Sequence, residues 1–326
     1  MSAEMNSSLS RGPLVALVGP TAVGKTDLSI RLAMDIKGEV VSADSRQIYR
    51  GMDVGTAKAS AEERRLVPHH LIDVLEPDEL LTLAQYQDAA YRVIDDILGR
   101  GGIPLLVGGT GLYVRAVLEG LGIPRVPPNP ELRSELYARA KCEGGDVLHR
   151  WLAEVDPQAA KAIDARNVRR VIRALEVYLE AGERISELQQ AAPPPYRILR
   201  IGLTMDRARL YERIDERVER MLAAGQVDEV RGLMARGYDL SLASMSGVGY
   251  RQIVYYLQRE VDLVEAVRLI KHATHRFVRQ QYNWFRLDDA AITWFDAGEG
   301  LDRIYPAIRG LTCDFLAEGA SETLGT

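Results

Sequence analysis

Along the first third of the chain, short apolar runs alternate with longer stretches in which apolar residues recur every three or four positions. The runs are Leu14–Val18, Glu39–Ala43, His70–Val74 and Ile103–Val107. Their length predicts strands, and the intervening period predicts helices. Thr82 with Gln85 forms a capping box for a helix to about Leu98, stopped by Gly99 and Gly101-Gly102. Strands separated in this way predict a parallel sheet covered on both faces. Beyond Ile123-Pro124-Arg125-Val126-Pro127-Pro128 the pattern is helical alone. Asn129-Pro130 and Asp156-Pro157 each place an N-cap before a proline at the first helical position. A further helix is predicted from about Val168 to Glu180, ending at Gly182, and Pro193-Pro194-Pro195 closes the segment. Residues 125–196 therefore read as a helical insertion domain, and 13–124 with 197–310 as one discontinuous core domain. In the returning part, Arg197–Leu203 is a strand, Asp206 caps a helix to about Gly225, and Asp262 with Glu265 opens a long helix through Arg286. Ile292–Phe295 is a last edge strand. Residues 1–12 and 318–326 are expected to be disordered tails.

The loops after these strands hold the candidate chemistry, because ligands of such sheets bind at the C-terminal strand ends. Gly19-Pro20-Thr21-Ala22-Val23-Gly24-Lys25-Thr26 follows the first strand and has the P-loop spacing G-x-x-x-x-G-K-T. Its glycines let backbone N–H groups approach phosphate oxygens at a helix N-terminus. Lys25 supplies a cation, and the Thr26 hydroxyl can hold Mg2+. The expected fold class is α/β, a P-loop NTPase-like parallel sheet flanked by helices, with an all-helical insertion. Asp44 ends the second strand and is either a general base, a magnesium partner or a turn residue. Gly108-Gly109-Thr110-Gly111 is either a ligand-approaching turn or a plain one. Asp73 is a second magnesium ligand or a cap. His69 and His70 have no third ligand near in sequence, which argues against a metal site there.

Net charge is 41 minus 46, or −5, so any nucleic-acid binding must rest on local clusters. Two qualify: Arg166, Arg169, Arg170 and Arg173 in the insertion, and Arg268, Lys271, Arg276, Arg279 and Arg286 on the long helix. Neither has an acid between its members, and Tyr282, Trp284 and Phe285 are interleaved with the second. They are either an RNA-binding surface or solvated helix faces with the aromatics turned inward. Cys142 and Cys313 lack metal-ligand spacing and read as reduced thiols of a cytoplasmic protein. No run reaches membrane-spanning length, and a monomer is expected.

Seven segments occur in one order: GPTAVGKT (Gly19–Thr26), DSRQIY (Asp44–Tyr49), GTAK (Gly55–Lys58), GGTGLY (Gly108–Tyr113), RALE (Arg173–Glu176), VGYR (Val248–Arg251) and RQQYNWFR (Arg279–Arg286). Together they resemble the tRNA isopentenyltransferase family in its bacterial form, over about residues 13–296. The resemblance implies transfer of a dimethylallyl group from dimethylallyl diphosphate to the N6 amine of the adenosine 3′ of the anticodon. The P-loop would hold the diphosphate leaving group and no ATP would be hydrolysed. By resemblance Asp44 is the general base. Lys25 and Thr110 join it in catalysis, with Thr110 at the diphosphate or the flipped adenosine. Arg213 or Arg217 reaches the diphosphate, and Mg2+ is the cofactor. The resemblance puts four stretches at the tRNA anticodon stem-loop. They are Asp44, Ser45, Arg46 and Gln47; Arg169, Arg170, Val171, Ile172 and Arg173; Ser246, Gly247, Val248, Gly249, Tyr250 and Arg251; and Arg279, Gln280, Gln281, Tyr282, Asn283, Trp284, Phe285 and Arg286. Many members carry an arginine where Ser246 stands, and no Cys/His finger is present here. The competing readings are a P-loop kinase for a small molecule using Asp73, an isopentenyltransferase of free adenine nucleotides, and a P-loop RNA-binding switch.

Overall fold

A computed structural model of the protein describes residues 12–324. Pro13–Val18 is strand β1. Gly24, at φ 106°, turns the chain into α1 (Lys25–Ile36), and β2 (Gly38–Ser42) follows. Next come α2 (Ala61–Leu66) and β3 (His69–His70). The expected Thr82–Gln85 capping box opens α3 (Leu83–Gly99), and β4 (Ile103–Gly108) runs into α4 (Gly111–Leu118).

The five helices that follow are α5 (Pro130–Glu143), α6 (Gly145–Val155), α7 (Pro157–Ala162), α8 (Val168–Ala181) and α9 (Ile185–Leu188). They belong to a compact unit of their own, Glu119–Pro194. The rest of the chain forms the other unit. It continues with β5 (Arg197–Thr204), α10 (Arg207–Ala223), α11 (Gln226–Ala235), α12 (Tyr250–Leu257) and α13 (Leu263–Trp284). It closes with β6 (Thr293–Asp296) and α14 (Leu301–Leu324).

All six strands are parallel, in the order β3-β2-β4-β1-β5-β6. Strand β1 shows why the sheet is covered on both faces. Successive side chains point to opposite sides, so Leu14, Ala16 and Val18 pack into one core with Tyr86, Ile94 and Val114 of α3 and α4. Val15 and Leu17 pack into the other, with Leu28 and Leu32 of α1, Leu210 of α10 and Ile308 of α14. A third cluster joins α11, α12 and α13 to Ile48, Tyr49 and Met52 in the loop after β2.

Three expectations need correction. The predicted strand His70–Val74 stops at His70, because Leu71 and Asp73 adopt left-handed backbone, φ 60° and 55°. The cause is capture of the Asp73 carboxylate, by Lys58 at 2.6 Å and Arg64 at 2.7 Å. The long helix ends at Trp284 rather than Arg286, with Phe285 as its C-cap. The tail expected to be disordered over 318–326 coincides as far as Leu324 with the last part of α14, and residues 325–326 lie outside the described residues. The tail expected over 1–12 lies outside the described residues except for Gly12, whose carbonyl accepts from the Arg197 N–H.

The helical unit has its own core of Leu136, Leu148, Leu152, Val171, Ile172, Leu175 and Ile185. The fully buried Glu176 carboxylate is set into it. It accepts from Arg133 Nε at 2.7 Å and Nη2 at 2.8 Å, from the Asn129 N–H at 2.8 Å, and from Arg173 Nη1 at 2.5 Å. Burial pushes this carboxyl up, but the arginine hydrogen bonds outweigh it and hold the group below the usual carboxylate range. The charged form is therefore the stabilising one, and its contribution is lost as pH falls through that range. Glu176→Ala is expected to destabilise the protein by about 3 kcal/mol, since two arginines lose their counter-charge. Denaturant unfolding followed by circular dichroism checks this.

Candidate active site

The strand order brings three loops together. β4 lies between β2 and β1, so the glycine turn after β4 stands between the Asp44 loop and the P-loop. The Thr110 N–H donates to Ala43 O at 3.2 Å, and the Thr110 hydroxyl accepts from the Ser45 N–H at 3.0 Å. On its other side, a Cβ at Gly109 would stand 3.5 Å from Gly19 O. Thr110, expected at the diphosphate or adenosine, thus has its hydroxyl engaged in bracing the residue next to Asp44.

Gly19 has to be glycine twice over: its φ is 141°, and a Cβ there would come within 2.4 Å of Leu203 O on β5. The N-cap of α1 is Gly24 and no side chain caps this helix, so its first N–H groups, at the positive end of its dipole, are left without a side-chain partner. That is an anion site. The Val23 side chain is buried in the core, and Pro20 has no N–H to offer a phosphate. The Thr21 N–H is engaged by Gln281 Oε1 at 2.9 Å, which leaves the backbone N–H groups further along the loop and the Lys25 ammonium as candidate phosphate donors. Lys25 Nζ donates to Gly19 O at 3.0 Å and Pro20 O at 2.7 Å. Desolvation and the Arg217 guanidinium push its pKa from 10.5 down to about 7, with Asp44 opposing.

Arg217 lies in the same electrostatic cluster. Desolvation lowers its pKa, while the Asp44 carboxylate raises it. One Arg217 nitrogen reaches Thr56 O at 3.5 Å. Arg213 Nη2 stands 4.0 Å from the place a Gly24 Cβ would take. Arg213 and Arg217 of α10 therefore flank the P-loop, and Arg217 is the one that shares the field of Lys25 and Asp44. Asp44 Oδ1 accepts from the N–H groups of Arg46 at 2.8 Å and Gln47 at 3.4 Å, a turn that leaves Oδ2 for chemistry. Arg46 in turn reaches Ala243 O at 2.6 Å, tying this loop to the turn that carries Ser246 and Gly247.

Several residues expected at the tRNA surface are not at the surface. Val171 and Ile172 are core residues of the helical unit, because the helical period turns them inward while Arg169 and Arg170 face out. Arg173 is committed to Glu176 and to the carbonyls of Pro124 and Val126. Tyr250 is 1% exposed, Phe285 4% and Gln281 4%, so none offers a free face to RNA. Tyr282 packs partly into the core, with its hydroxyl 3.2 Å from Thr204 Oγ1. Trp284 lies over Gly111, where a Cβ would stand 2.2 Å from its ring. The exposed residues of the four stretches are Arg169, Arg170, Val248, Arg251, Arg279, Gln280, Asn283, Trp284 and Arg286. Acids flank both clusters: Asp164 pairs with Arg166, Glu265 with Arg268, Glu219 with Lys271 and Asp288 with Arg286. Such surface pairs are worth about 0–1 kcal/mol.

Two anchors were not foreseen. Lys58, in the GTAK segment, is buried and donates to Tyr49 O, Asp53 and Asp73. Asp73 is thereby spent on Lys58 and Arg64, which removes the second magnesium ligand that the kinase reading required. Glu229 of α11 accepts from three successive N–H groups, Asp53 and Val54 at 2.7 Å and Gly55 at 3.0 Å, and from Tyr250 OH at 2.6 Å. The Tyr250 ring explains Gly55, where a Cβ would stand 2.6 Å from Tyr250 Cζ. GTAK in the sequence marked the place, but nothing near it pointed to Glu229.

A parallel sheet with a P-loop after its first strand, and a carboxylate loop two strands away, defines a P-loop-type phosphate-binding α/β protein. The chain belongs to the IPP transferase family, whose model matches residues 47–288, and an isopentenyl transferase model matches residues 13–72. It is 53% identical over 286 residues to a tRNA dimethylallyltransferase of Thermomicrobium roseum, covering 88% of this chain and 87% of that protein. The crystal structure of a tRNA isopentenylpyrophosphate transferase from Bacillus halodurans is similar at TM-score 0.72 and 42% identity, covering 96% of this chain and 99% of that one. A eukaryotic dimethylallyltransferase acting on tRNA shares the fold at TM-score 0.78 and 24% identity, covering 94% of this chain and 80% of that one. Among the described residues no helix is long and apolar enough to cross a membrane.

Proposed function

We propose that this chain transfers a dimethylallyl group from dimethylallyl diphosphate to the N6 amine of the adenosine 3′-adjacent to the anticodon of tRNA. One observation carries the reading: the glycine turn after β4 stands between the P-loop and the Asp44 loop, with Thr110 hydrogen-bonded to Ala43 and Ser45 on one side and Gly109 against Gly19 on the other. In this reaction the allylic C1–O bond breaks and a C1–N6 bond forms. The N6 amine loses one proton and the diphosphate leaves with the electron pair. The α1 N-terminus, Lys25 and Arg217 receive the charge that develops on the leaving group. Asp44 Oδ2 takes the N6 proton, which a ring-delocalised amine gives up only as the new bond forms. The base is turned out of the anticodon loop to reach the site. Arg169, Arg170, Arg251, Arg279 and Arg286 meet tRNA phosphates, and Asn283 and Trp284 lie at the end of α13, between Arg279 on the helix and Arg286 just past its C-cap.

Mg2+ suits the donor set. A small hard cation takes few protein oxygens besides phosphate and water, and Thr26 sits in the first turn of α1 with a hydroxyl to give. Bound there, the ion would neutralise diphosphate oxygens.

Unmodified tRNA incubated with the protein, dimethylallyl diphosphate and Mg2+, without ATP, is expected to gain one dimethylallyl group on that adenosine. Nucleoside mass spectrometry reads this. No adduct across a tRNA panel, together with ATP consumption by the protein alone, would return the kinase reading.

A further inference from the structure

Gln281 holds together the loops that the reaction uses. Its side chain is buried near the end of α13, and Oε1 accepts from the P-loop Thr21 N–H at 2.9 Å. Nε2 donates to Gly109 O at 2.9 Å. A Cβ at Gly109 would stand 2.4 Å from Nε2, so the amide fills that position closely. The contact continues in covalent sequence from Gly109 to Thr110, whose N–H donates to Ala43 O and whose hydroxyl accepts from the Ser45 N–H. Asp44 lies between those two residues. A single side chain thus connects the diphosphate cradle, through the glycine turn, to the backbone on both sides of the carboxylate. A primary amide is what this position requires: one acceptor facing an N–H and one donor facing a carbonyl, at either branch of a planar group.

We infer that Gln281 is a positioning residue that sets the separation between the P-loop and Asp44, and hence between the leaving group and the base. The inference rests on the proposed reaction for its kinetic consequence. It does not rest on it for the mechanical link. Misplacing reacting groups by about 1 Å costs on the order of 100-fold in rate. Lys25, Arg217 and the α1 N-terminus do not depend on the Gln281 amide for their own contacts, so anion binding survives its loss.

The test uses Gln281→Met, of similar length with neither hydrogen bond, and Gln281→Glu. Protonated glutamic acid reproduces both hydrogen bonds, whereas the carboxylate sets an oxygen against Gly109 O. The expected result for Gln281→Met is a fall in kcat of about 100-fold, with inorganic diphosphate affinity by calorimetry within about threefold. For Gln281→Glu, kcat relative to the unaltered protein rises as pH falls. Hydrogen exchange read by mass spectrometry speeds up in the peptides carrying Thr21 and residues 43–47. Unchanged kcat in both variants, or loss of diphosphate binding in parallel with kcat, overturns the positioning role. If the unaltered protein transfers no prenyl group, the reaction is wrong. Exchange then decides the link: faster exchange in both peptides upholds it, and exchange confined to the Thr21 peptide overturns it.

Discussion

Asp44→Asn is expected to lower kcat for prenyl transfer by about 10²–10⁴-fold, the range that a positioned proton acceptor contributes. Asparagine is chosen because its Oδ1 keeps the turn in which Asp44 accepts from the N–H groups of Arg46 and Gln47. The loop geometry, and with it the Arg46 contact to Ala243, then stays in place while the base is lost. Single-turnover rates with saturating tRNA measure the effect. Fluorescence binding of tRNA is expected to change by no more than about threefold, since one neutralised carboxylate adds no phosphate contact. Normal turnover in this variant would remove Asp44 as the base.

Lys25→Met is expected to reduce kcat/KM for dimethylallyl diphosphate by about 10²–10³-fold, comparable with losing one preorganised donor to a developing anion. The same side chain makes binding depend on pH. In the empty site its pKa is pushed from 10.5 to about 7, first by desolvation and next by Arg217. A bound diphosphate restores the ammonium, so above pH 7 binding takes up a proton and affinity falls as pH rises. Calorimetry at pH 8.5 (a value about midway in the 7 to 10.5 window) in two buffers of different ionisation enthalpy measures the uptake. Proton uptake is expected in the unaltered protein and none in Lys25→Met. Stability carries the matching sign. Between pH 7 and 10.5 the unfolded chain holds a proton that the folded, empty site does not, so the stability lost to this group at neutral pH is recovered as pH rises. Uptake that persists in Lys25→Met would assign the proton to another group.

The period of apolar positions sufficed for most elements, because helix caps and strand runs are local: Thr82–Gln85, Asn129-Pro130 and Asp206 each start a helix where expected. It failed at His70–Val74. There an apolar run is overruled by a carboxylate captured from fifteen residues upstream by Lys58 and from nine upstream by Arg64. Beyond residue 318, where a disordered tail was expected, α14 continues to Leu324.

The P-loop, the Asp44 turn and the GGTG turn were legible in the sequence because each is a short motif whose chemistry is set by adjacent residues. Their mutual arrangement was not. It follows from β4 lying between β2 and β1, and from hydrogen bonds spanning 65 to 260 positions. The tRNA stretches show the same division. Basic residues in a row marked a helix, but the turn of that helix decided that Arg169 and Arg170 face solvent while Val171 and Ile172 enter the core. Gln281, set among residues expected to meet RNA, instead joins two loops. A side chain's hydrogen-bond partner is fixed by which backbone group lies opposite it in the folded chain, and only the tertiary structure supplies that neighbour.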